Sequence, residues 1–262
     1  MKGNYHTHTV RCKHALEADE KYVQAAIAAG FDELGFADHA PWPFPDGFVG
    51  SSRMLVDQLP DYISSISNLR VKYADRISVL VGLESEYYPC YHDHMMRVKD
   101  MGVQYFILGQ HNIEPENISP YVPTISKDDD VVLRYADAVV IGIRTGLFSY
   151  VAHPDLFMGN NPPERFNKTC ERAADMICQA AKEQGLPIEY NLLGLMNEMD
   201  GCSRGYPSAP FWQYVRKYDN EVILGVDAHA PSHLLRHDVW NEAIARMNAL
   251  GYRRVETPVF PD

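Results

Sequence analysis

Seven short apolar runs along the chain each end in an imidazole or a carboxylate, and this repetition limits the possible fold more than any other feature. The run around Asn4 closes in His6 and His8, ELGFAD in Asp38 and His39, ISVLVGLE in Glu84, and YFILGQ in His111. YVAH closes in His153, LPIEYN in Glu189 and Asn191, and VILGVDAH in Asp227 and His229. Between them apolar residues recur at helical spacing, as with Val23, Ala26 and Ile27 ahead of Gly30, or Leu59, Ile63, Ile66 and Leu69. Further helices are expected over 93–101, 131–145, 163–183 with a stop at Gly185, 211–218 and 239–250. Such alternation predicts a parallel sheet with helices outside. The strand count alone leaves an open doubly wound sheet possible. An open sheet would spread the polar strand ends along an edge, whereas a barrel gathers them on one face. Convergence favours a closed or nearly closed barrel.

The length of 262 residues suits one such barrel, and no linker, repeat or low-complexity tract divides it, so a single domain over 1–262 is expected. Against 24 Lys+Arg stand 35 Asp+Glu, a net charge of -11, so a nucleic-acid partner is not expected. An anionic substrate would need local cations, which bound metal ions supply. No apolar run has the length of a membrane span, and MKGNYHTHTVRCKH lacks the apolar core of a signal peptide. The five cysteines are scattered without a CxxC pair, which argues against a disulfide framework or zinc ribbon and for a reducing cytoplasm.

Imidazole and carboxylate donors together suit zinc, manganese or iron. The candidate ligands are His6, His8, His14, His39, Glu84, His111, His153, Asp227 and His229. That is too many for one tetrahedral ion and suits two or three divalent ions. His6 and His8 can reach a common ion where the chain is extended, since residues i and i+2 then share a face. A lone strand-end histidine is ordinarily a hydrogen-bonded structural residue; the recurrence at every strand end sets this pattern apart. His92 and His94 repeat H-x-H in a helical context, where the two side chains diverge, and are expected to be solvated bystanders. His233 and His237, beyond the last motif, are set aside. Three prolines in APWPFPDGF forbid regular structure there.

In order, HTHTVRCKH (6–14), GFADHAPWP (35–43), QLPDYISSISNLRVKY (58–73), GLESEY (82–87), ILGQHNI (107–113), VAHPDLF (151–157), EYN (189–191) and VDAHAP (226–231) resemble the PHP (polymerase and histidinol phosphatase) family. The Cys12-x-His14 ending of the first motif resembles its histidinol-phosphate phosphatase branch. The resemblance implies a distorted (β/α)7 TIM-like barrel and a trinuclear metal site. His6, His8, Glu84 and Asp227 would hold a first ion, with Glu84 bridging to a second held by His111 and His153. His14, His39 and His229 would hold a third. The implied activity is hydrolysis of a phosphomonoester, L-histidinol phosphate, to L-histidinol and phosphate. Bridged metals would generate the hydroxide nucleophile, and a further ion would neutralise phosphate charge.

Either Asp227 or His229 would assist the leaving alkoxide. Arg204, in GCSRGYP, is the expected phosphate anchor, because a guanidinium grips phosphate bidentately; Arg53, in SSRM, is a second candidate. Asp38 and Asp155 are expected to orient ligands without binding metal. The chain departs from the branch in LFMGNNPP, where Asn160 and Asn161 stand near a position that tends to be basic. The resemblance therefore speaks more strongly for metal phosphoesterase chemistry than for one substrate. The alternatives are a phosphatase for another small phosphorylated metabolite, a PHP-type phosphodiesterase or exonuclease, and a metal-binding module without catalysis. Structural sites close with about four ligands, which counts against the last.

Overall fold

The computed structural model describes Lys2 to Pro261. Its elements run β1 (Gly3–Asn4), α1 (Asp19–Ala28), β2 (Glu33–His39), α2 (Leu59–Lys72), β3 (Ser78–Ser85), α3 (His92–Asp100), β4 (Tyr105–Leu108), α4 (Val122–Ile125) and α5 (Asp129–Arg144). There follow α6 (Lys168–Gln184), β5 (Ile188–Asn191), α7 (Leu192–Met199), α8 (Ala209–Lys217), β6 (Glu221–Gly225), α9 (Pro231–Leu234), α10 (His237–Leu250) and β7 (Arg253–Arg254). Every strand pairing is parallel: β1 to β4 pair in sequence order, and β6 lies between β5 and β7. Val151 links the two groups through single bridges to Leu108 and Ile188, and Thr7 bridges to Ala228 at the opposite side. The result is a curled parallel α/β sheet with helices on its outer face.

Period-two alternation divides the strand side chains between two cores. Leu34 and Phe36 of β2, Val79, Val81 and Leu83 of β3, and Val222 and Leu224 of β6 face the helices and join the main core. Ala37, Leu80, Tyr105, Ile107 and Ile223 face the other way, into a smaller cluster inside the curl with Tyr5, Tyr150 and Ala152. Continuing the inner register carries β2 to His39, β3 to Glu84 and β6 toward Asp227.

The expected helices form with local stop and start signals. Asn167 caps α6 by accepting from the N–H groups of Thr169 and Cys170, and Gly185 ends it in the left-handed region at φ 63°. The helix begins at Lys168, later than expected, because Pro163–Arg165 forms a separate 3-10 turn. The Pro-rich loop is irregular apart from a 3-10 turn over Pro45–Gly47. One expected strand does not form, and two elements appear unannounced. The fifth strand, YVAH, is reduced to the bridging residue Val151, since His153 turns the chain out of register at φ 30°. The two-residue β7 and the helix α7 were not expected. Helix α7 starts directly after β5, with Asn191 accepting from Gly194 N–H, so no turn sequence marks it.

Candidate metal centre

The Thr7–Ala228 bridge explains how distant parts of the chain meet. His6 and His8 flank Thr7, Asp227 and His229 flank Ala228, and the flanking residues of two bridged segments point to one side. The bridge is held by His8 N–H to Ala228 O at 2.9 Å and Ala228 N–H to His6 O at 3.1 Å. Between β2 and β3, His39 pairs in register with Glu84. His153 and Asp227 both adopt positive φ, 30° and 53°, a conformation that few non-glycine residues take and that clusters at functional sites.

Glu84 is the hub. Its Oε1 lies 2.7 Å from His153 Nε2, 3.4 Å from His111 Nε2 and 3.5 Å from His6 Nε2; its Oε2 lies 3.0 Å from His39 Nδ1 and 3.6 Å from His8 Nε2. Asp227 Oδ1 lies 3.1 Å from His8 Nε2 and 3.4 Å from both His6 Nε2 and His229 Nδ1. His14 Nε2 and His229 Nε2 are 2.9 Å apart at the outer edge. Gly109 leaves room for the hub, since a Cβ there would strike the Glu84 carboxylate. All nine sequence-predicted ligands are thus gathered in one place. The groups His6–His8–Glu84, His6–His153–Asp227, His39–Glu84–His111 and His14–His39–His229 each bring donor atoms within 4.8 Å of one another.

This donor set fits divalent cations. His6 Nε2, both nitrogens of His8, Glu84 Oε2, His153 Nδ1 and Asp227 Oδ1 are buried without a hydrogen-bond partner. An unsatisfied buried polar atom costs about 1–3 kcal/mol, so such a concentration of them needs a compensating ligand. Carboxylates and carbonyls hold the far side of several rings. His6 Nδ1 meets Glu189 Oε2 at 2.7 Å, His111 Nδ1 meets Glu86 Oε1 at 3.2 Å, and His14 Nδ1 and His229 Nδ1 meet the carbonyls of Cys12 and Asp227. That pattern leaves Nε2 of those rings for a metal.

Electrostatics divide the imidazoles into two sets. Burial disfavours a proton on His6, but Glu189, Asp227 and Glu84 reverse this and hold its pKa well above the usual value. His8 behaves likewise and is raised to about 9, burial being overcome by the nearby carboxylates of Asp227, Asp38 and Glu84. His153 is raised too, against burial, by Glu84. Toward the mouth, burial holds His39 well below its usual range and, with the neighbouring His8, pushes His229 down to about 3; His14 is lowered by the same causes. Glu84 and Asp227 sit well below the carboxylate range, as the surrounding imidazoles outweigh the effect of burial.

A cavity of about 770 Å³ opens over the cluster, lined among others by Tyr121, Leu156, Met196, Arg204, Tyr206 and His233. Arg204 is the single Lys or Arg among the described residues of its lining, and it is exposed. Arg53 corrects the expectation of a phosphate anchor: it is buried, and its guanidinium is taken up by Glu86, Glu116 and the carbonyl of Ala40. Asp38 Oδ1 lies 3.5 Å from His8 Nδ1, beyond hydrogen-bond reach, and accepts from the backbone N–H of His39 at 2.8 Å, while Oδ2 accepts from the Thr9 hydroxyl. Asp155 does not meet a ligand ring. It accepts from Ser208 N–H at 2.7 Å and fastens that loop. Asn161 donates to Ser126 and to the carbonyls of Phe157 and Gly159, so it ties a loop together. His92 and His94 stay outside the cluster, but His94 is buried and bonded to Pro41 O at 2.9 Å, not solvated. His233 lines the cavity and accepts from His229 N–H at 3.3 Å. The orienting roles of Glu86 and Glu189 were missed; Glu86 lies two residues from Glu84, a spacing that marked it as a neighbour on one face.

The PHP domain family model matches residues 4–193. A histidinol-phosphatase of Bacillus subtilis (strain 168) is 33% identical over 253 residues, an alignment covering 87% of this chain and 94% of that protein. Among solved structures, histidinol phosphate phosphatase from Lactococcus lactis, complexed with Zn, L-histidinol and phosphate, matches at a TM-score of 0.71 and 18% identity, covering 97% of this chain and 95% of that one. The Listeria monocytogenes hisK structure matches at a TM-score of 0.76 and 20% identity, covering 90% and 98%.

Proposed function

The chain belongs to the PHP domain family, and on that premise we propose that it is a metal-dependent phosphomonoesterase converting L-histidinol phosphate to L-histidinol and phosphate. The observation that carries this reading is the gathering of seven imidazoles and two carboxylates beneath a cavity with a cationic arginine at its wall. The two strand groups, joined through Val151 and through Thr7–Ala228, support a distorted seven-stranded barrel as the scaffold. A single domain over 1–262 and a cytoplasmic setting go with this reading.

His6, His8, Glu84 and Asp227 would hold one ion, Glu84 with His111 and His153 a second, and His14, His39 and His229 a third. When bound, such ions supply Lewis acidity, charge neutralisation and a water of lowered pKa. The protein's own groups do the rest. Arg204 grips phosphate oxygens. Asp227, with Oδ2 steadied by Asn191 Nδ2 at 3.1 Å, is ionised near neutral pH, and His229 is uncharged. Both therefore begin as proton acceptors. One of them takes the proton lost by the attacking water and passes it to the departing alkoxide. The low dielectric of the buried floor strengthens each of these contacts.

Phosphate release from a panel of phosphorylated metabolites tests the reading. L-histidinol phosphate should give the highest kcat/KM, and Arg204→Ala should lower kcat/KM roughly 10- to 100-fold, mostly through KM. Preference for a nucleotide phosphodiester would replace this assignment.

A further inference from the structure

Behind His111 lies a charged pair that the hydrolytic chemistry itself does not use. Arg53 and Glu86 are 2% and 1% exposed and joined by two hydrogen bonds, Nη2 to Oε1 at 2.8 Å and Nη1 to Oε2 at 3.2 Å. Glu86 Oε1 also meets His111 Nδ1 at 3.2 Å, and Glu86 Oε2 accepts from the indole N–H of Trp42 at 3.0 Å. On its other side Arg53 Nη1 donates to the carbonyl of Ala40 at 2.9 Å, immediately after His39, while Ala40 N–H donates to Glu84 O at 2.8 Å. Arg53 Nε donates to Glu116 Oε2 at 2.9 Å, and Glu116 holds Ser51 on the cavity wall.

A buried ion pair is a poor way to gain stability, because apolar residues of equal volume often do as well or better. Its geometry gives another reason for it to be there. One carboxylate oxygen fixes the Nδ1–H tautomer of His111, so that Nε2 faces Glu84 Oε1 at 3.4 Å. The guanidinium spans from that carboxylate to the chain segment carrying His39. The rings of His39 and His111 stand edge to face at 4.9 Å, on either side of the Glu84 carboxylate.

We propose that Glu86 and Arg53 are a positioning pair that sets His111, and through Ala40 the segment of His39, around Glu84 for cation binding. Glu86 acts through the His111 ring, and Arg53 acts through Glu86 and the Ala40 carbonyl; neither contacts substrate. This rests on the metal-binding part of the proposed function, but not on the identity of the phosphoester.

The test measures cation content by elemental analysis and titrates cobalt(II) into metal-free protein, following its visible absorption. Glu86→Gln should weaken the cation that depends on His111 about 10- to 100-fold, with a changed cobalt spectrum. Its kcat should fall while KM for the phosphoester stays near the parent value. Arg53→Met should act in the same direction, since it strips Glu86 of its partner. Placed in a His111→Ala background, Glu86→Gln should add no further loss of cation affinity. Glu86→Asp keeps the charge for Arg53 and withdraws the oxygen from His111, so it should weaken the same cation while folding normally. The proposal is overturned if folded Glu86→Gln or Glu86→Asp binds all cations with parent affinity and spectrum. It is overturned equally if Arg53→Met raises KM with cation content intact, the mark of a substrate anchor. A parent protein inactive on L-histidinol phosphate, yet showing the cation losses, would sink the substrate assignment and leave this pair in place.

Discussion

The space inside the curled sheet has two ends built from the same strand alternation and filled in opposite ways. At the N-terminal end Tyr5, Leu80, Tyr105, Ile107, Tyr150 and Ile223 close the interior with carbon, and Phe260 covers it from the tail. The phenol of Tyr105 reaches the carbonyls of Tyr5 and Phe36 at 3.0 Å each, and that of Tyr5 donates to Glu33 at 2.6 Å. Gly35 and Gly82 carry no side chain where the Tyr105 ring lies. At the C-terminal end the same inward positions carry His39, Glu84 and Asp227, and several of the polar atoms gathered there have no hydrogen-bond partner. The N-terminal end is finished by packing, with the buried Tyr150 hydroxyl as its one unpartnered atom among the described residues of that cluster, and the C-terminal end is finished by a ligand. Stability and function are therefore separated along one axis, as in barrels whose chemistry sits at the strand C-termini.

Substitutions at the two ends should consequently fail in different ways. Glu84→Ala should lower turnover on the order of a thousandfold or more and abolish the stoichiometric binding of at least two cations, while the metal-free protein keeps its circular dichroism spectrum. His92→Ala, in the other H-x-H, should retain both turnover and cations. Comparable losses in the two variants would mean that the active histidines have been misassigned. At the opposite end, Gly82→Ala drives a methyl group into the Tyr105 ring. Overpacking of this kind costs about 1–3 kcal/mol, a fall in Tm of roughly 2–6 °C. The kcat per folded molecule should not change. If Gly82→Ala altered kcat while leaving Tm untouched, the two ends would not be independent.

How much of this was legible beforehand follows from where the information lies. Glu84, Asp227 and His39 were readable because strand register is a period-two signal and β-branched runs mark the strands. His153 was readable as a residue but not as a strand end, since its positive φ breaks the strand that YVAH suggests. Strand β7 is two arginines, with no apolar pattern to betray it. Arg53 and Arg204 look alike in sequence, one polar loop each. Only burial separates them, and burial of Arg53 depends on Glu86 and Glu116, residues 33 and 63 positions away. The metal cluster was legible because its donors recur along the strands; the roles of Glu86 and Glu189, which hold the far side of two of its rings, were not, because each occurs once.

Within the polar end, the two sets of imidazoles offer the smallest and sharpest comparison. His6 is held well above its usual value and His8 lies at about 9, so near pH 7 these two members of the deep set carry protons that an entering cation must expel. His39 and His229, the latter at about 3, are uncharged at that pH and release none. Cation binding to the deep set should therefore tighten as pH rises from about 7 to 9, by up to about tenfold per unit for each proton displaced, while binding at His14, His39 and His229 stays flat. The stability of the metal-free protein should move the other way. A histidine raised from 6.5 to about 9 on folding stabilises the fold fully below 6.5, and that contribution is lost as pH climbs through 9. Metal-free protein should thus melt at lower temperature at pH 9 than at pH 6.5, and metal-loaded protein should not follow it down. Titration calorimetry in two buffers of different ionisation heat reads the protons directly. Equal proton release by every cation bound would erase the distinction between the deep and outer sets.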